Sequence, residues 1–156
     1  MTAIGKWAFY RCNGLTGSLT IPNSVTSIEA NAFEECSGFT GSLTIGNSVT
    51  SIGFDAFLEC YGFTGTLTIG SSVNSIGKQA FFGCIRLAEV INLSSLNIEK
   101  GSRDYGDAAY YALEVKTSGP SELVNYGDFV FFPLEGTNYL IGYTGSSTQL
   151  TLPASY

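Results

Sequence analysis

Apolar residues return at the same positions of a 24-residue cycle along the first 90 residues. Residues 18–41 read SLTIPNSVTSIEANAFEECSGFTG, and residues 42–65 read SLTIGNSVTSIGFDAFLECYGFTG. Eight positions of each cycle stay apolar, and two of these columns hold Phe9, Phe33, Phe57 and Phe81, and Cys12, Cys36, Cys60 and Cys84. One cycle cannot bury eight apolar side chains alone, whereas stacked copies of it can. The pattern therefore predicts a repeat solenoid.

Each cycle contains three kinds of local pattern. The segment SLTI alternates between polar and apolar residues, so it predicts a short strand whose copies pair in parallel about 4.8 Å apart. The segment SVTSI predicts a second extended stretch, and NAFEEC, with apolar residues three apart, predicts a short helical turn. Gly17, Gly41 and Gly65 precede the strand, where we expect a tight corner or bulge with a positive φ. The expected architecture is a right-handed coil of short parallel strands and short helical turns.

The pattern loosens after residue 90. The segment YGDAAYYAL echoes IGKQAFFGC, which puts Tyr105 in the Ile76 column and Leu113 in the Cys84 column after about five extra residues. The segment FVFFPLEGTNYLIGY predicts a β-hairpin that turns at residues 135–138. The segment LTLP restarts the cycle at Leu150. The predicted organisation is a solenoid at 1–113, an irregular unit with a hairpin at 114–149, and the start of a further repeat at 150–156.

The pattern L-x-I-P/G-x-S-V-x-S-I-G-x-x-A-F-x-x-C-x-x-L covers residues 2–90. It resembles the bacterial leucine-rich repeat of the BspA-like surface-antigen type. The family's unit is usually one residue shorter, and we take the glycine before the strand as the addition. The resemblance implies a leucine-rich-repeat solenoid, an extracellular or cell-surface location on a bacterium, and adhesion to host proteins and other cells.

Composition narrows the classes of partner. Only 13% of the residues are charged, the net charge is −6, and the seven basic residues are scattered. Because no basic stripe is present, we expect no nucleic acid and no anionic membrane surface as partner. No apolar run approaches the roughly 20 residues that cross a bilayer, so we expect no membrane insertion.

The two ends of the sequence match only parts of a repeat. Met1 leads directly into TAIGKWAF, which contains no signal peptide and corresponds to the back half of a cycle. We interpret the chain as a segment of a longer array with an artificial start. Open coil ends expose strand edges and core, which predicts a tendency toward end-to-end self-association.

The sequence contains no histidine. This removes Ser–His–Asp and Cys–His nucleophile pairs and the common zinc ligand sets, and no nucleotide-binding motif is present. The cysteine column spans roughly 15 Å, so its thiols cannot converge on one metal, and we expect them to be buried and reduced. We therefore predict no enzyme activity and no cofactor. Glu35 and Glu59 share a column and leave a calcium site or a hydrolytic carboxylate pair as a less favoured alternative.

Two sets of side chains are candidates for binding a partner. Outward strand positions form two hydroxyl columns that could hydrogen-bond an extended chain or a glycan, although Thr also simply suits exposed strands; they are Ser18, Ser42 and Thr66, and Thr20, Thr44 and Thr68. Aromatic residues at variable positions of the turns are candidate interface anchors; they are Trp7, Tyr10, Phe54, Tyr61 and Phe82. The leading hypothesis is a non-catalytic adhesion module that recognises host proteins, other cells or glycans. The alternative is a purely structural spacer in a larger surface protein.

Overall fold

The computed structural model describes residues 2–119, 124–134, 137–143 and Gly145. The chain divides into two compact units, Met1–Pro120 and Ser121–Tyr156, and each is treated by itself. The further repeat predicted at 150–156 lies outside the described residues.

The first unit is a solenoid built from nine strands and one short helical turn. In chain order the elements of both units are β1 (Thr2–Ile4), β2 (Gly17–Ile21), β3 (Val25–Ile28), β4 (Phe39–Ile45), β5 (Ser51–Ile52), β6 (Gly65–Ile69), β7 (Ser75–Ile76), β8 (Leu87–Asn92), α1 (Asp104–Asp107), β9 (Glu114–Lys116), β10 (Val124–Tyr126), β11 (Phe129–Leu134) and β12 (Thr137–Tyr143).

Two parallel sheets run along the solenoid. The large sheet has the order β2-β4-β6-β8-β9, and the small sheet has the order β1-β3-β5-β7. Leu19 pairs with Leu43 and Leu43 with Leu67, so equivalent residues of successive 24-residue cycles lie side by side. We call each winding a coil and the segments 5–13, 29–37, 53–61, 77–85 and 104–112 its turn side. The predicted solenoid is confirmed.

Identical side chains stack on one another inside the coils. The rings of Phe9, Phe33, Phe57 and Phe81 stack in sequence with centroids 4.8, 5.1 and 5.4 Å apart and planes within 6° of parallel. All four cysteines are free thiols, and three of them are buried. The Sγ of Cys36 donates a hydrogen bond to the carbonyl of Phe9 in the preceding coil at 2.8 Å. The core is therefore shared between neighbouring coils.

The turn side differs from the predicted helical turn. It consists of consecutive tight turns, such as Cys36 N–H to Phe33 C=O at 3.2 Å, separated by residues in the left-handed region. Asn31 has a φ of 58° and Glu35 a φ of 57°. The reason is that backbone groups bond to the next coil: Phe33 N–H donates to the carbonyl of Ala56 at 2.8 Å. In a helix, these N–H groups would instead donate to carbonyl groups of the same helix.

The glycine before the strand is the extra residue of the cycle. Gly17 and Gly65 both have a φ of 78°, and each lies at an irregularity in the pairing of its strand. The strand β8 has no glycine at this point, and there Leu67 pairs with Val90, a step of 23 residues. A positive φ costs little only for glycine, which accounts for Gly17 and Gly65. The expectation was wrong for Gly41, which has no positive φ; there a Cβ would lie 2.8 Å from the backbone nitrogen of Ser18, so close approach of the coils requires the glycine.

The last coil is displaced by one residue from the predicted alignment. Ala112 N–H bonds to Ala109 C=O as Cys84 N–H bonds to Phe81 C=O, so Ala112 rather than Leu113 continues the cysteine column. Small alanines fill the core here, and the adjacent Tyr110 keeps its hydroxyl at the surface, where it accepts a hydrogen bond from Arg103 at 3.0 Å. The sheet continues through β9, three residues past position 113.

The second unit contains an antiparallel sheet of order β10-β11-β12. The predicted hairpin between β11 and β12 is confirmed. Thr137 and Asn138 pair with Leu134 and Pro133, so they belong to the strand rather than to the turn where the sequence placed them. Residues 135 and 136, which connect the strands, lie outside the described residues.

Close packing of coils predicts a strong effect of substituting Gly46. A Cβ at this position would lie 2.5 Å from the carbonyl oxygen of Ile21, whereas a Cβ at Gly14 would meet nothing within 4 Å. We expect Gly46→Ala to lower the free energy of unfolding by about 2 kcal/mol and Gly14→Ala to change it little. Denaturant unfolding followed by circular dichroism measures both. Equal stability of the two variants would contradict the coil spacing.

Candidate functional site

A shallow groove crosses the outward face of the large sheet. Its volume is about 360 Å³, and it crosses the first three strands of the sheet. It is lined by Thr20, Ile21, Pro22, Asn23, Thr44, Ile45, Gly46, Asn47, Thr68 and Leu93. None of these side chains is charged, so the groove is an uncharged surface with hydroxyl groups repeated at the spacing of the coils.

Asparagines fix the edge of this groove. The Oδ1 of Asn23 accepts a hydrogen bond from the backbone N–H of Asn47 at 2.8 Å, and the Oδ1 of Asn47 accepts one from Ser71 N–H at 3.0 Å. The corner after each strand is thereby tied to the next coil. The sequence pattern had not singled out Asn23, Asn47 and Leu93 as functional residues, although the recurrence of Asn in this column was a usable signal.

The two predicted hydroxyl columns have different surroundings. Thr20 is exposed, Thr44 and Thr68 are half-buried, and all three line the groove. In the other column, the hydroxyl of Ser18 accepts the backbone N–H of Ser42 at 3.1 Å. Thr66, also in that column, is buried. Only the Thr20 column is therefore presented together as one surface.

Thr66 belongs to a charged network that the sequence did not indicate. Its hydroxyl donates to Glu89 at 3.1 Å, and the Nζ of Lys116 lies 3.1 Å from carboxylate oxygens of both Glu89 and Glu114. Glu89 is 0% exposed although it lies on the outward face. The hydrogen bond to Glu89 raises the pKa of Lys116 above its ordinary value. The one-residue step at β8 conceals this alignment in the sequence.

The predicted aromatic anchors fall into two groups. Trp7 and Tyr10 lie together in the first coil with ring centroids 5.1 Å apart in an edge-to-face arrangement. Phe54 and Tyr61 are exposed in the third coil, and Phe82 is half-buried. The structure thus pairs Trp7 with Tyr10, and it presents Phe54 and Tyr61 on the turn side of another coil.

The carboxylates considered for metal or hydrolytic chemistry have different neighbours. Glu35 forms two hydrogen bonds with the guanidinium of Arg11, both at 2.8 Å. These bonds lower the pKa of Glu35, which holds it as a carboxylate rather than as a proton donor. Across the described ranges no group of three metal-ligating side chains converges. The geometry makes Glu35 a salt-bridge partner and leaves Glu59 to be considered separately.

Asp55 is a buried acid in the same turn column as Asn31. It is 8% exposed, and within the described structure its Oδ1 has no hydrogen-bond partner. Burial, and then the charge of Glu34, raise its pKa above the ordinary value. Its φ of 54° belongs to the left-handed region that asparagine tolerates well.

We expect Asp55→Asn to stabilise the protein at neutral pH by about 1 kcal/mol, because it removes a buried, unsatisfied carboxylate. A raised pKa means that the folded state holds the proton more tightly, so stability falls as pH rises through the ordinary pKa toward the folded one. The gain from Asp55→Asn should therefore vanish below pH about 4, where the acid is protonated in both states. Urea unfolding at pH 7 and pH 3 measures this difference, and an equal gain at both values would contradict it.

These features define a leucine-rich-repeat solenoid with two parallel sheets. The family model described as BspA type leucine rich repeat region matches residues 2–131 in six copies, and the chain belongs to this family. Comparison with curated proteins and with solved structures gave no match. Repeats of this family are generally protein-binding modules, typically associated with bacterial surfaces and typically non-catalytic. In the part of the chain that the structure describes, no helix has the length and hydropathy needed to cross a membrane.

Proposed function

We propose that the chain is a non-catalytic binding module of a bacterial surface or secreted protein. Its partner is a host protein, a protein of another cell, or a glycan, held on the outward face of the large sheet. The observation that carries this proposal is the uncharged groove that crosses three coils. Family membership supports the general role in protein binding.

The groove suits a chain laid across the strands. Thr20, Thr44 and Thr68 repeat at the spacing of neighbouring strands, so their hydroxyls offer equivalent hydrogen-bonding groups along its length. Apolar surface from Leu93, which is exposed, adds contact area that is removed from water on binding. A rigid surface loses little conformational entropy when it binds, which favours affinity.

Binding to a panel of immobilised host matrix proteins, bacterial surface proteins and glycans tests this function. Thr44→Arg places a long charged side chain in the groove, and we expect it to weaken binding of the captured partner about tenfold. Asn74→Arg is the matched control, because Asn74 is exposed and is not part of the groove. Equal affinity of Thr44→Arg and the parent chain would exclude this face, and no binding to any member of the panel would favour the spacer alternative.

A further inference from the structure

The acidic residues of the central coils are concentrated on one side of the solenoid. Residues 12–77 contain no lysine or arginine, and all of their acidic residues lie on the turn side. These residues are Glu29, Glu34, Glu35, Asp55 and Glu59. The turn side of the second and third coils is therefore negative, whereas the groove on the large sheet is uncharged.

At two places among residues 2–119, an arginine lies against a tyrosine ring and near a carboxylate. Arg11 has its Cζ 4.8 Å from the centre of the Tyr10 ring and binds Glu35 at 2.8 Å. Tyr10 also donates its hydroxyl proton to Glu35, at 3.4 Å. This arrangement combines a cation–π contact with a bidentate ion pair, and a planar guanidinium suits both.

The second instance lies in the last coil of the solenoid. Arg103 has its Cζ 4.2 Å from the centre of the Tyr110 ring, and its Nη1 lies 4.0 Å from Asp107. Arg103 thus resembles Arg11 in lying against a tyrosine ring and near a carboxylate, but its carboxylate is farther away, at 4.0 Å instead of 2.8 Å.

A third tyrosine and carboxylate pair lies between these two. Tyr61 is 44% exposed, and a Cβ built at Gly83 of the next coil would lie 2.9 Å from the Cα of Glu59 and 3.3 Å from the Cε1 of Tyr61, so both residues border position 83. Burial of part of the ring, and then the nearby Glu59 carboxylate, raise the pKa of Tyr61. Among residues 2–119, Glu59 forms no ion pair within 4.0 Å. Position 83, the next member of the Glu59 column, is a glycine, so no side chain from there covers the carboxylate.

We propose that Tyr61 and Glu59 form a recognition site for an arginine side chain of a protein partner. The guanidinium stacks on the Tyr61 ring and pairs with the Glu59 carboxylate, as Arg11 does with Tyr10 and Glu35. Exposed Phe54 on the same coil supplies further apolar contact, and the acidic turn side attracts a basic segment.

This site uses different residues from the groove, so it stands or fails separately from the proposed function. Arginine fits better than lysine, because an ammonium cannot pair in a bidentate way and stack as a plane at once. A divalent metal ion is less suitable, since no three ligating side chains converge in the described residues.

Titration of the full chain with short capped peptides tests the proposal. The probe is an acetylated and amidated Gly-Ser peptide that contains two arginines, and the comparison peptides contain lysine or citrulline instead. We expect saturable amide shifts around positions 59–61 in heteronuclear NMR spectra with the arginine peptide. The lysine peptide should bind more weakly by about fivefold, and the citrulline peptide should cause no saturable shift.

Variants separate a specific site from general attraction. Glu59→Gln and Tyr61→Ala should each weaken the arginine peptide about tenfold, with unchanged spectra elsewhere as proof of folding. Glu29→Gln removes the same charge from the turn side of another coil and should weaken it less than twofold. Equal losses in Glu59→Gln and Glu29→Gln, or equal binding of lysine and arginine peptides, would overturn the proposal. If calcium chloride at the same concentration as the peptide caused the same shifts, the site would be a metal site. That result would also overturn the proposal.

Discussion

Replacing Phe57 by alanine is expected to lower the free energy of unfolding by about 4 kcal/mol. Phe57 is 0% exposed and stacks on Phe33 at 5.1 Å and on Phe81 at 5.4 Å. The substitution leaves a cavity between two coils, which neither neighbour can fill because each is fixed by its own backbone hydrogen bonds to the next coil. Urea unfolding followed by circular dichroism measures the loss.

The same substitution at Phe9 is the matched control. Phe9 occupies the same column but is 38% exposed and stacks on one side only, at 4.8 Å from Phe33. We expect Phe9→Ala to cost less than half as much as Phe57→Ala, because less area is buried and no enclosed cavity forms. Equal losses at the two positions would show that the phenylalanines do not form one continuous stack.

The second large effect is expected at Lys116. Lys116→Met leaves the carboxylate of Glu89, which is 0% exposed, without the cation that lies 3.1 Å from it. Removing the cationic partner of a buried carboxylate is strongly destabilising, and we expect a loss of about 3 kcal/mol at pH 7. The double variant Glu89→Gln with Lys116→Met should recover part of this loss, since it removes the buried charge as well.

Arg11→Met is the matched control for an ion pair on the surface. The Arg11–Glu35 pair has shorter contacts, 2.8 Å, but both side chains reach water. We expect no measurable change of the unfolding midpoint for Arg11→Met, because exposed pairs contribute little to stability. If Arg11→Met lowered stability as much as Lys116→Met, burial would not be the reason why the Lys116 ion pair matters more.

The repeat predicts the fold well because each core column is dictated by its neighbours along the solenoid. Phe33 and Cys36 recur at a fixed interval, and only stacking in register buries them all. The recurrent glycine before the strand likewise predicted the positive φ of Gly17 and Gly65, although not the ordinary φ of Gly41. The core columns and the glycine before the strand recur in each cycle, so a single sequence shows the same pattern several times.

The sequence was less informative where backbone hydrogen bonds between coils, and not the pattern of apolar side chains, determine the conformation. Apolar residues three apart predicted a helical turn, but Phe33 N–H bonds to Ala56 of the next coil and not within a helix. For the last coil, the sequence pattern aligned tyrosines with the core phenylalanines of earlier coils. In the structure Ala109 fills the core position instead, and Tyr110 lies at the surface. Hydropathy does not distinguish a tyrosine whose ring is buried in the core from one whose hydroxyl forms a hydrogen bond at the surface.

The candidate sites were predictable only in part. The Thr20 column followed from strand alternation, and Tyr61 followed from its variable turn position. The burial of Thr66 did not follow, because it depends on Glu89 and on a one-residue change of step that brings the two together. The role proposed for Glu59 depends on comparing three tyrosine and carboxylate pairs in space.

The stacking of 24-residue coils around one shared core is tested most directly by the cysteine column. Cys12 is half-buried at the first coil, whereas Cys36, Cys60 and Cys84 are buried, and burial raises the pKa of Cys36 to about 11. Alkylation of the native protein with iodoacetamide at pH 8, followed by mass spectrometry, should modify Cys12 first and leave the other three thiols unmodified until denaturant is added. Modification of all four thiols at one rate in the native protein would contradict a column of stacked coils.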